Sequence, residues 1–325
     1  MKISVVVPCF NCEKTIEHCV NSIIEQNVDL ELICIEDCSS DNTLAVLKEL
    51  TKSSLSIKLI NNPNNLGASK TRNIGIKNAT GDYITFVDSD DYLEPNCYEK
   101  IVDILKKEKS DILRYNTTEI EISDTNKKHF DKTIDIKTEF NWVLERFFTN
   151  KDNFQTFSPL LFVKKEVFKN VRYNENVCMM EDAIFYYDLL CDAETLYLCD
   201  IKGYNYVKNE KSITQNYKNA ENNIKDVLFV NKYLTNKVSD TEIKQDINAN
   251  TIDIICELLL NLSKIDKKEY TRIAKTLSTN TRLRQAFGDF TVNNISKKKR
   301  FFIWSIMKKH FVINGTIINL FRILK

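Results

Sequence analysis

The stretch Tyr83-Ile84-Thr85-Phe86-Val87-Asp88-Ser89-Asp90-Asp91 runs an apolar segment into three carboxylates interrupted by one serine. Like charges at the end of a buried segment repel one another and are costly to desolvate, so they call for a counter-charge. Asp-Ser-Asp spacing along extended chain points Asp88 and Asp90 to the same side. Carboxylate oxygens are hard ligands suited to Mg2+ or Mn2+, and such an ion keeps further positions for water and phosphate oxygens. The plainer alternative is a solvated acidic turn capping the helix after Pro95, and Asp91 is assigned to it. Just upstream, Gly67, Gly75 and Gly81, three of only six glycines, fall within "NNPNNLGASKTRNIGIKNATGD". Lys70 and Arg72 at a helix start in that stretch suit an anionic ligand, although a loop and helix cap would use the same residues.

Glu181 and Asp182 open the amphipathic run "MMEDAIFYYDLL". There carboxylates can satisfy the free amides and the dipole of a helix start, or one of them can take a proton from a substrate. The three histidines, His18, His129 and His310, are scattered and form no pair or triad pattern, so acid–base work falls to a carboxylate. Cys9 and Cys12 form C-x-x-C at a strand-to-helix junction, a redox-pair spacing, and Cys34 with Cys38 could complete a zinc site. Ten cysteines in a chain with no export signal read instead as reduced thiols.

The elements that must position these groups alternate. Apolar β-rich runs at 3–8, 30–37, 57–62 and 83–88 are separated by helical spacing at 14–26, 41–52 and 67–79. Asp41 suits the cap of the second helix, and Pro95 the first turn of one running to about Lys109. This βαβα order predicts an α/β fold, a mostly parallel sheet with helices on both faces and ligands at the carboxyl ends of its strands. Residues 111–215 are mixed, with strands expected at 111–122, 160–163, 195–199 and 204–208 and helices at 139–149 and 181–192. From about Tyr217 the pattern is almost wholly helical, which places a boundary near 215 and divides the chain into 1–215 and 216–325.

The net charge of +1 hides an asymmetry: from Thr291 onward there are eight Lys or Arg and no acid, against 38 basic and 45 acidic residues before it. The tail 296–325, "SKKKRFFIWSIMKKHFVINGTIINLFRILK", combines these charges with Phe301, Phe302, Trp304, Phe311 and Phe321. That mixture suits an anionic membrane surface; packing on the body or on a second copy of the chain is the alternative. The acidic body speaks against nucleic acid. The first apolar run, "ISVVVP", is only strand-sized, and no stretch reaches the roughly 18 apolar residues of a membrane span. A cytoplasmic protein, free or resting on the inner face of the membrane, is expected.

Taken together, "SVVVPCFNCEKTIEHCVNSIIEQ", "LICIEDCSSDNT", "NNLGASKTRNIGI", "GDYITFVDSDD" and "MMEDAIFYYDLL" resemble, in order and spacing, the family 2 glycosyltransferases of GT-A-type fold. The resemblance covers about 190 residues and leaves the last hundred uncovered. It implies that Pro8, Phe10, Asn11 and Glu13 lie against a nucleotide, with Phe10 near the ring and Asp37 on the uracil edge. It implies further that Asn65 and Arg72 approach the base and diphosphate. In the same way it makes Asp90 the principal metal ligand, with Asp88 and Ser89 beside it and Asp88 nearer the ribose. Asp182 then matches the family's general base, and Glu181 a residue orienting the acceptor or the helix. Glu36 stands where an aspartate is usual and Cys38 where glycine is common. "SPLLFVKKEVF" replaces a Lys-Leu-Tyr-like run.

The implied reaction is an inverting, Mn2+- or Mg2+-dependent transfer from a nucleoside diphosphate sugar, above all a UDP-sugar. The acceptor would be a glycan or lipid-linked hydroxyl in surface-polysaccharide synthesis, and a homo-oligomer is compatible with it. A sugar nucleotidylyltransferase and a zinc- or thiol-based interaction module are the competing readings.

Overall fold

The computed structural model describes residues 1–118, 131–149, 158–207, 219–288 and 297–308. They fall into two compact units, Met1–Lys208 and Asn209–Lys325. The expected division at 215 lies outside the described residues.

The first unit is built on one sheet. Strands β1 (Ile3–Cys9), β2 (Leu30–Glu36), β3 (Ile57–Asn61) and β4 (Tyr83–Phe86) are mutually parallel. They alternate with helices α1 (Ile16–Ile24), α2 (Thr43–Ser53) and α3 (Ala68–Asn78). β1 reads as a continuous apolar run because both of its faces are covered. Ile3, Val5 and Val7 share one buried core with Ile16, Cys19 and Val20 of α1 and with Tyr98 and Ile101 of α4 (Cys97–Glu108). Val6, on the opposite face, meets α3, and the contact is close because residue 75 has no side chain: a Cβ there would lie 2.2 Å from Val6 Cγ1. The N-cap of α2 is Asn42, and Asp41, one residue ahead of it, steadies the helix start, its Oδ1 accepting from the Thr43 backbone N–H at 3.0 Å. Pro95 lies just ahead of α4 instead of in its first turn, because Asn96 turns the chain with φ 59°.

Beyond β4 the sheet becomes mixed. Its strand order is β3-β2-β1-β4-β8-β6-β9-β5, with β7 on β9. β8 (Leu161–Lys164) runs antiparallel to both β4 and β6 (Ile112–Thr117), and β6 is parallel to β9 (Thr195–Asn205). Among the described pairings the parallel half is therefore the N-terminal half. Where two strands are expected over 195–208, β9 is continuous from Thr195 to Asn205. Two short strands the pattern misses, β5 (Tyr92–Leu93) and β7 (Lys132–Asp135), exist because β9 gives each an antiparallel partner. Helices α5 (Ile136–Thr149) and α6 (Glu181–Asp192) complete the unit.

The second unit is helical: α7 (Ala220–Lys237), α8 (Thr241–Ile265), α9 (Lys267–Leu277), α10 (Thr281–Gly288) and α11 (Lys297–Met307). Asp240 and Asp266 cap α8 and α9, each Oδ1 accepting two backbone N–H groups of the first turn at 2.8–3.1 Å. Ile252, Ile255, Cys256 and Leu259 of α8 are fully buried. Among the described residues no helix is long and apolar enough to cross a membrane.

Candidate functional site

The carboxyl ends of β1, β2 and β4 carry the groups singled out in the sequence. The β1–α1 and β2–α2 loops are lashed to each other. Asn11 donates its backbone N–H to Ser39 Oγ at 3.0 Å and accepts the Ser40 N–H at 2.8 Å. Glu13 Oε2 accepts the Asn42 N–H and side-chain amide at 2.9 and 3.0 Å. Glu36, buried, accepts the N–H groups of Cys38 and Ser39 at 3.2 and 2.6 Å and so closes the turn that Cys38 makes at φ 59°. The turn that glycine commonly makes in the family is thus kept by a cysteine, at a strain of about 1–2 kcal/mol. Asn11 at φ 50° is also left-handed, at little cost because asparagine tolerates that region, whereas Met180 at φ 63° is strained. Phe10 stands 48% exposed at the strand exit, a free aromatic face beside Pro8.

Asp37 has an inward task. Its Oδ1 accepts from Asn62 Nδ2 at 2.8 Å and from the Leu66 N–H at 2.9 Å, and Oδ2 accepts the Gly67 N–H at 2.8 Å. The carboxylate shapes the loop into α3, with most of its accepting capacity spent there. Asn65 is on the exposed part of that loop.

Arg72 is the centre of the charged cluster. From α3 its Nη2 donates to Asp88 Oδ1 at 3.0 Å and its Nη1 to Glu181 Oε1 at 3.2 Å. Its guanidinium lies over the Tyr173 ring, 5.4 Å from the centroid. Burial alone would weaken the charge, but Asp88, and behind it Asp182 and Glu181, more than offset it and hold the guanidinium protonated. Its hydrogen bonds go to carboxylates of the chain itself, so its place is a clamp joining the end of β4 to the start of α6. The same helix anchors the segment that delivers α6. Asn73 bonds the Tyr173 backbone in both directions at 2.9 and 3.0 Å, and Ser69 donates to the Val177 carbonyl at 3.3 Å.

The carboxylates respond to these surroundings. Burial pushes the Glu181 carboxyl up, Asp182 adds to the rise and Arg72 opposes it. Burial likewise raises Asp182, against Arg72 and a hydrogen bond from Ser158. Burial and then the charge of Asp88 raise Asp90. Among the described residues no Lys or Arg pairs with Asp90, and no group of three or more Cys, His, Asp or Glu could hold a metal unaided. Asp90, with no cation beside it among the described residues, and Asp88, one oxygen of which Arg72 holds, are hard carboxylates that fit a divalent ion completing its shell with water and phosphate oxygens.

One expectation is corrected. Asp91 is neither solvated nor a helix cap: it is buried, accepting the Tyr204 hydroxyl at 2.5 Å and the Val207 N–H at 2.8 Å. It fastens the end of β9 beneath the acidic turn, and burial pushes its carboxyl up to about 7. The zinc alternative finds no support: among the described residues no group of three or more Cys, His, Asp or Glu could hold a metal, and Cys38 is exposed while Cys9, Cys12 and Cys34 are buried. No disulfide joins any of the ten cysteines. His129 and His310 lie outside the described residues, and His18 packs on Tyr92. Missed by the sequence reading are Ser158 and Tyr173, which meet at Asp182. Ser158 opens the run "SPLLFVKKEVF", but nothing local marks it as a partner of a carboxylate 24 residues on.

A parallel α/β half-sheet with an acidic turn at β4 and a carboxylate pair opening α6 defines a nucleotide-sugar-type GT-A architecture. The chain belongs to glycosyl transferase family 2, whose model matches residues 4–172. It is 28% identical over 230 residues to the uncharacterized glycosyltransferase EpsJ of Bacillus subtilis, covering 66% of this chain and 63% of that protein. It is 26% identical over 212 residues to the poly(ribitol-phosphate) beta-N-acetylglucosaminyltransferase TarS of Staphylococcus aureus, covering 63% of this chain and 35% of that one. The chain therefore spans less than two thirds of either relative. The fold matches the crystal structure of S. aureus TarS 1-349 in complex with UDP-GlcNAc, with TM-score 0.62 at 21% identity over 99% of this chain and 92% of the other. It also matches the mannosyltransferase PcManGT from Pyrobaculum calidifontis in complex with GDP-Man and Mn2+, with TM-score 0.56 at 13% identity over 98% and 86%.

Proposed function

We propose that the chain is an inverting glycosyltransferase that moves a sugar from a UDP-sugar to a hydroxyl of a glycan or lipid-linked acceptor in surface-polysaccharide synthesis. The observation that carries this reading is Arg72, which draws the β4 acidic turn and the start of α6 into one site. UDP-GlcNAc in the TarS complex supports the donor class. Asp182 takes the proton from the acceptor hydroxyl as that oxygen attacks the anomeric carbon, a general-base contribution of about 10²–10⁴-fold. The diphosphate leaves from the opposite side, so configuration inverts in one displacement and no enzyme nucleophile is needed. Glu181 holds Arg72 and through it the helix start. Asp88 and Asp90 would hold Mn2+ or Mg2+, which when bound supplies positive charge for the leaving diphosphate. Phe10 and Pro8 offer the apolar side of the base pocket, and Asn11, Glu13, Asp37, Asn65 and Ser89 form or brace its rim.

Thermal shift with a panel of UDP- and GDP-sugars plus Mn2+ selects the donor, since a ligand bound only by the native state raises its melting point. Turnover of the selected donor releases UDP here; release of pyrophosphate would mark a nucleotidylyltransferase instead. Asp182→Asn lowers transfer by about 10²–10⁴-fold while the donor's thermal shift persists, and Asp90→Ala weakens donor binding in Mn2+-containing buffer. A variant Asp182→Asn with wild-type turnover would remove the assigned base.

The α11 helix supports an inner-membrane location for the enzyme. Phe301 and Trp304 stack at 5.5 Å and stand 48% and 40% exposed, in a stretch whose sequence is basic although Lys299 itself pairs with Asp253 and Glu257. A basic, aromatic-bearing stretch of sequence is drawn to anionic lipid at about 1 kcal/mol per nearby cation. Co-sedimentation with phosphatidylglycerol vesicles, lost on truncation at residue 295, is the expected result; equal binding without the tail would discard it. Residues 309–325 of the tail lie outside the described residues.

A further inference from the structure

The carboxylate of Asp182 is held from a part of the chain that no motif includes. Ser158, fully buried, donates its hydroxyl to Asp182 Oδ1. Tyr173 in turn donates its hydroxyl to Ser158 Oγ. A serine hydroxyl carries one proton, so with Tyr173 occupying its acceptor side that proton is committed to Asp182. Tyr173 has little freedom of its own. Its backbone is bonded in both directions to Asn73, its ring stacks on Phe185 with centroids 3.8 Å apart, and Arg72 lies over it.

We propose that Ser158, oriented by Tyr173, is a positioning residue for the carboxylate of Asp182: it fixes Oδ1 and leaves Oδ2 directed at the proton to be taken. The inference rests on the reading of Asp182 as general base. A hydroxyl donating to a carboxylate favours its charged form. It keeps a group that burial drives toward neutrality available as a base. The charged and titratable groups facing Asp182 are Arg72 from α3, Asp88 after β4, Tyr173 from the segment ahead of α6, and Glu181 and Tyr186 on α6 itself. Ser158→Ala removes none of these, so it isolates the hydroxyl.

The test is the titration of the Asp182 side chain in protein carrying 13C at the aspartate carboxyl carbon, the resonance being assigned by its loss in Asp182→Asn. In Ser158→Ala the midpoint moves up by about one pH unit, the size expected for one hydrogen bond to a charged group. The acid limb of kcat/KM for the donor selected above, with water as acceptor, moves up equally, and kcat falls about tenfold while the donor KM is unchanged. Tyr173→Phe keeps the stacking but frees the Ser158 hydroxyl, and shifts both midpoints in the same direction by less. If Ser158→Ala does not fold, Tyr173→Phe decides. Unmoved midpoints overturn the inference while leaving Asp182 its role. Wild-type turnover in Asp182→Asn, by contrast, overturns the base assignment beneath it.

Discussion

The two sides of the site are held in different ways. On the side proposed for the nucleotide, Asn11, Glu13, Glu36 and Asp37 close loops on one another or on residues within about 30 positions, through hydrogen bonds within and between neighbouring βα units. On the acceptor side, Glu181 is tied to Arg72 across 109 residues and Tyr173 to Asn73 across 100. The nucleotide side is thus a set of braced loops whose own side chains fill most of their hydrogen-bonding capacity. The acceptor side is a charged junction assembled only when α3 and α6 meet. The first should tolerate the loss of one brace; the second should not tolerate the loss of its common cation.

The largest effect tests the acceptor side directly. Asp182→Asn lowers transfer by about 10²–10⁴-fold. In the wild type, burial raises the Asp182 pKa, so the proton-accepting form is lost as pH falls through a midpoint above the ordinary carboxylate range. The acid limb of a pH–rate profile reads that midpoint, and a limb at ordinary aspartate values would contradict it. The same shift carries a stability sign. A carboxyl that binds protons more tightly when folded makes stability fall as pH rises between its unfolded and folded pKa values. Urea midpoints at several pH values check this.

Next comes Arg72→Met, which leaves Asp88 and Glu181 without their shared cation. Breaking a buried pair in this way costs about 3–5 kcal/mol, and urea denaturation measures it. Arg72→Lys cannot span both carboxylates with one ammonium and recovers only part of the loss. Full recovery by lysine would mean that the two contacts do not act together.

Asp37→Ala cuts three hydrogen bonds into the loop before α3 and costs about 3 kcal/mol. Its donor KM should rise with the loss of loop order, while the acid limb stays in place. The smallest change is Asn11→Ala, about 1 kcal/mol, with a modest rise in donor KM and unchanged kcat. An effect of Asn11→Ala as large as that of Arg72→Met would erase the distinction between the two sides.

The strands β1 to β4 and the helices between them are legible as apolar runs and helical spacing because both arise from local pattern. The aspartates at the end of β4 are legible because they interrupt such a run. β5 and β7 were invisible: Tyr92–Leu93 is too short to show a pattern, and each strand is defined by its pairing with β9. Asp91 was misread for the same reason. In sequence it is one more acid in a polar turn, and only the approach of Tyr204 and Val207 buries it.

By itself the sequence determined the α/β alternation, the helical second half and the residue types available to bind a diphosphate and take a proton. Local periodicity and turn chemistry suffice for these. Tertiary structure alone decided that Arg72 joins Asp88 to Glu181, that Asp37 turns inward and that Ser158 and Tyr173 converge on Asp182. The order of strands in the sheet sets which distant residues become neighbours, and burial then obliges each polar group to take the partner it finds there.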